Sequence, residues 1–66
     1  MELYEQGKVD LGEQRYPFAL EKFQKGLQIV GDEIQQRWRL LLGAALACEA
    51  MERPRFAIEY YRRFLA

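Results

Sequence analysis

The sequence holds no histidine, no serine and no threonine, and only one cysteine, Cys48. Acid–base and nucleophilic catalysis draw on those side chains, so their usual constellations are excluded and an enzyme is the least expected reading. One thiol cannot close a disulfide within the chain, and a lone free cysteine fits a reducing, cytoplasmic setting. A metal site would have to be built from carboxylates alone, and none cluster in that way; no cofactor is expected. No glycine-rich loop offers a cradle for phosphate. An excess of charge of either sign is also missing: ten Lys and Arg balance ten Asp and Glu. Nucleic acid is therefore not the expected partner, because phosphate binding draws on a basic surplus. No stretch of about 18 apolar residues occurs, so no membrane insertion is expected. The polar start, MELYEQGK, is not a secretory signal.

What is present is half apolar in a chain of 66 residues. That is one domain, and one that buries only roughly 60% of its unfolded surface. The charges are unevenly shared. Residues 1–33 carry four basic and seven acidic groups, residues 34–66 six arginines and three glutamates. The two halves thus differ in sign, either as solvated faces of biased composition or as surfaces that match one another electrostatically.

The chain repeats itself. Residues 18–27 read FALEKFQKGL and residues 56–65 read FAIEYYRRFL. Ala19 aligns with Ala57 and Phe23 with Tyr61, an offset of 38 that also matches Leu3 to Leu41 and Gly7 to Ala45. Each unit divides into two helical segments. Residues 2–14 predict a weak first helix, in which Gly7 and Gly12 each cost about 1 kcal/mol relative to alanine. Pro17 suits the first turn of a second helix, which runs to Val30 with Ala19, Leu20, Phe23, Leu27 and Val30 along its apolar stripe. Gly31 ends it, and Asp32 offers the next N-cap. The third helix has Ile34, Trp38, Leu41, Ala45 and Cys48 on its stripe, widened by Leu42 and Leu46, and Arg53-Pro54 ends it. The fourth runs from Pro54 to the end, with Ala57, Tyr61, Phe64 and Leu65 expected to be buried. No segment alternates as a strand does, so the expected fold is all-α, two tandem antiparallel hairpins of four helices.

The small residue in each first helix, followed by Ala-x-x-x-Phe/Tyr in each second helix, resembles the tetratricopeptide repeat. The likeness covers the whole chain as one domain, with repeat one at about 1–33 and repeat two at about 34–66. It departs from that family's pattern in its 38-residue period, where 34 is usual, as in the longer repeats of kinesin light chains. The turn glycine is displaced to Gly12 in one unit and absent near Glu52 in the other. A three-helix domain of the microtubule-interacting-and-transport kind shares the Ala-x-x-x-Phe/Tyr pattern, but the second repeat in register argues against it.

The resemblance implies a right-handed α-solenoid fragment and a protein-interaction function, in which the first helix of each unit lines a concave face. By position that face is Tyr4, Lys8, Leu11, Arg39, Leu42, Leu46 and Glu49, and the implied partner is a peptide or protein segment. Lys8 and Arg39 would meet a carboxylate, although the asparagine of that family's carboxylate clamp is missing. Against this, Leu42 and Leu46 read equally as residues that pack on the first helix. Trp38 reads as core rather than as a binding anchor, and Cys48 as a small core residue. The fourth helix carries too many large apolar groups for one face. Tyr60, Phe64 and Leu65 therefore mark a surface for self-association or for docking a further repeat, and the alternative function is a self-assembling unit.

Overall fold

The computed structural model describes residues 2–65; Met1 and Ala66, the two ends of the expected 1–66 domain, lie outside it. Four helices follow one another: α1 (Glu2–Gly12), α2 (Tyr16–Val30), α3 (Ile34–Ala50) and α4 (Pro54–Leu65). There is no strand among the described residues. The all-α fold expected from the sequence is the one observed.

The connections explain the boundaries. α1 stops at Gly12, two residues earlier than its pattern predicts, because Gln14 turns into the left-handed region at φ 64°. Arg15 N–H then donates to Asp10 C=O at 2.7 Å, and the chain re-enters a helix at Tyr16 with Pro17 in its first turn. The α3–α4 turn is the same turn 38 residues on. Glu52 has φ 58°, Arg53 N–H donates to Cys48 C=O at 2.9 Å, and Pro54 opens α4. α3 accordingly ends at Ala50, short of Arg53. The sequence repeat is thus a repeat of backbone conformation, and in neither copy is the left-handed residue a glycine. Between the two units, Gly31 takes φ 56° and closes α2 by donating to Leu27 C=O. The residue capping α3 is Glu33, not Asp32, and its side chain makes no capping bond.

The core centres on Phe23, which is fully buried. It is wedged between Gly7 of α1 and Gly43 of α3. A Cβ built on either glycine would stand 2.6 Å from the Phe23 ring, so both helices approach α2 more closely than any side chain would allow. Ala19, Leu40, Ala44 and Ala47 complete the cluster, with Tyr4, Leu11, Leu20, Leu27, Val30 and Tyr60 packed on its margins. Burying a phenylalanine contributes about 1.5–3 kcal/mol, a large share of what a domain this size retains.

Three expectations for the core fail. Ile34 is 77% exposed, Trp38 is 42% exposed and Leu65 is 80% exposed. α3 buries Leu41, Ala45 and Cys48 as expected, and Leu40, Gly43, Ala44 and Ala47 with them. The helices lie too close for large residues along most of this face, so the small ones go inside and Trp38 is left at the rim. α4 buries only Ala57 fully; Tyr61 and Phe64 are half-buried.

α2 packs on α1 and α3, α3 packs also on α4, and α1 touches α3 along a shorter contact. No close backbone approach joins α1 to α4, so the helices form an open row and not a closed bundle. α1 and α3 also come nearer to each other than α2 and α4 do. A groove is left between the latter pair.

Candidate functional site

The α1/α3 side carries an aromatic and cationic cluster. Tyr4 and Lys8 lie four residues apart on α1 and so share one face. Lys8 Nζ stands 5.3 Å from the Tyr4 ring centre. Arg39 of α3 reaches the same ring at 5.9 Å and the Trp38 ring at 5.4 Å. Both cations are thereby drawn to the negative faces of the rings, an attraction of about 0.5–1 kcal/mol each at exposed sites. Tyr4 is steadied from below by Phe23, with ring centres 6.2 Å apart. Tyr4, Gln35, Gln36 and Arg39 enclose a hollow of about 240 Å³. Among the described residues no carboxylate oxygen comes within 4 Å of Lys8 or Arg39, although five other pairs of opposite charge do form.

The other residues expected on this face are placed differently from one another. Leu11 turns onto the core cluster. Leu42 is half-buried and Leu46 is exposed on α3. Glu49 lies beside Tyr61 of α4: partial burial pushes the Tyr61 hydroxyl pKa up, and the neighbouring Glu49 carboxylate pushes the same way. The structure therefore brings together Tyr4, Lys8 and Arg39 and sets Leu11 and Glu49 apart from them.

The residues expected to serve self-association are dispersed. Tyr60 accepts a hydrogen bond from Gln24 Nε2 at 3.0 Å and lies under the Arg63 guanidinium at 5.7 Å. Phe64 tilts against Trp38 with ring centres 6.2 Å apart. Leu65 alone of the three stands open, in company with Ile58 on the same helix.

Two features escape a reading by periodicity. The Asp10 side chain is buried at the back of α1, where Lys22 Nζ donates to it at 2.7 Å and Arg15 lies at 3.9 Å. This pair crosses the hairpin, and no spacing within one helix announces it. The second is the groove between α2 and α4, built from three helices at once. Cys48 at its floor is buried as expected; burial pushes its thiol pKa up, and the nearby Arg53 opposes this. No metal-binding cluster occurs among the described residues, and no helix is long and apolar enough to cross a membrane. No protein-family model matches the chain, nor does any curated protein or solved structure.

Proposed function

We propose that this chain is a tetratricopeptide-like interaction module that binds a peptide or protein segment on the α1/α3 side and catalyses no reaction. The observation that carries this reading is the Tyr4–Lys8–Arg39 cluster. It offers two cations with no carboxylate partner within 4 Å among the described residues, held beside an aromatic face and a hollow of about 240 Å³. Such a site suits an extended segment with a carboxylate, since charge-assisted hydrogen bonds fix its position while the rings supply contact area. A cytoplasmic setting accords with the lone thiol.

Trp38 is the one tryptophan and borders the cluster, so its emission reports on the site. Titration with pools of peptides ending in a free acidic C-terminus is expected to change that emission saturably. Lys8→Glu together with Arg39→Glu is expected to weaken the best peptide by roughly tenfold or more. Binding that ignores the double substitution would remove the reading.

A second reading is self-assembly through α4, favoured by the exposure of Ile58 and Leu65 on one helix. It predicts a molar mass by light scattering that rises with concentration, and a melting temperature that rises with it.

A further inference from the structure

The groove between α2 and α4 lies on a different side of the molecule from the Tyr4 cluster and is unlike it in character. Its volume is about 370 Å³, at the lower end of the roughly 300–1,000 Å³ typical of small-ligand sites. Leu20 and Gln24 form one wall, Phe56 and Tyr60 the other, and Cys48 the floor. Gln24 Nε2 reaches across to the Tyr60 hydroxyl at 3.0 Å and bridges the two walls. At the opposite end stands Arg53, which precedes α4, with Pro17 of the first turn of α2 beside it. Both helices thus present their positive ends there. Among the described residues Arg53 has no carboxylate oxygen within 4 Å, while Arg15, its equivalent one repeat earlier, has both Asp10 and Glu13. The groove is therefore apolar between the Gln24–Tyr60 bridge and Arg53, and positive at the Arg53 end.

We propose that this groove binds a small amphiphilic carboxylate, its apolar chain lying along Leu20, Cys48 and Phe56 and its carboxylate at Arg53. The α2 wall from Pro17 to Gln24 is roughly 10 Å long, which suits an extended chain of about eight carbons. The occupant is a small molecule and not a helix, because the Gln24–Tyr60 bridge bars a longer rod from lying through the groove. This site is independent of the peptide reading and stands or falls without it.

Octanoate is the probe, with uncharged octanamide as its control, followed by amide chemical shifts in two-dimensional NMR. Octanoate is expected to shift Leu20, Gln24, Cys48 and Phe56 saturably, with a dissociation constant of about a millimolar or tighter. Arg53→Gln, at an exposed position, is expected to weaken octanoate roughly three- to tenfold while leaving octanamide unchanged. Arg62→Gln, at an exposed position outside the groove, is expected to leave both unchanged. Shifts that fail to saturate, or that map to Tyr4 and Arg39 and leave Leu20, Cys48 and Phe56 unmoved, overturn the site. Octanoate binding that Arg53→Gln does not weaken overturns the assignment of a carboxylate.

Discussion

Phe23 and Tyr61 occupy the same place in the two repeats, four residues after Ala19 and Ala57, yet Phe23 is fully buried and Tyr61 is not. The hairpins differ little in local pattern at this point. What differs is the neighbour. Phe23 is covered on its second side by α3, whose Gly43 comes into contact with the ring. Among the described residues no helix covers α4 in the same way. A core position in a repeat is thus defined by its own hairpin and the next one together, and sequence equivalence does not carry burial with it. Another two pairs of equivalent positions keep their burial and differ in chemistry instead. Asp10 and Lys22 form an ion pair in the first hairpin, where the second has Cys48 and Tyr60.

The sharpest way to break this comparison is truncation at the paired positions. Phe23→Ala is expected to cost about 3–5 kcal/mol, enough to unfold most of a small domain, whereas Tyr61→Ala costs about 1 kcal/mol. Urea denaturation followed by circular dichroism separates the two, and equal losses would mean that α3 adds nothing to the Phe23 site. Next in size is Gly43→Ala. Its added methyl meets the Phe23 ring, and overpacking of this kind is expected to destabilise by about 1–3 kcal/mol despite alanine's better helix propensity. A raised melting temperature for that variant would show that the ring can move aside.

Asp10→Asn tests the ion pair against its uncharged equivalent. It leaves Lys22, which is only partly solvated, without its anion, and a loss of about 1–2 kcal/mol in the same denaturation assay is expected. The smallest effect runs the other way. Gln14→Gly and Glu52→Gly relieve two left-handed side-chain residues, and each is expected to gain about 0.5–1 kcal/mol. Gains of similar size at both sites would confirm that the two turns are equivalent; a gain at one alone would separate them.

Much of the fold was legible. The two prolines placed the starts of α2 and α4 within a residue, and three- and four-residue spacing found the Phe23 stripe. The α3 interior was legible only in part: Leu41, Ala45 and Cys48 are buried as their spacing predicts, but Leu40, Leu41 and Leu42 are consecutive and the helix is apolar around most of its circumference, so Leu40 was missed. Extending the same three- and four-residue spacing to the start of the helix put Ile34 and Trp38 inside, where they lie exposed. Of the candidate site, Tyr4 and Lys8 follow from their spacing on one helix. Leu42, Leu46 and Glu49 are the repeat equivalents of Tyr4, Lys8 and Leu11, and Arg39 lies one turn before Leu42, so the repeat leads to the right stretch of α3 without singling out Arg39. The groove at Arg53 has no signature along the chain, since its walls belong to segments about 36 residues apart that meet only in the folded form.

The ring wedged between two glycines also governs how the molecule assembles. Phe23 cannot be seated until both neighbouring helices have arrived, so neither hairpin completes its interior alone. The two repeats therefore melt in one transition, and hydrogen exchange at Phe23 and Gly43 proceeds at the slowest, global rate while the outer face of α4 opens first.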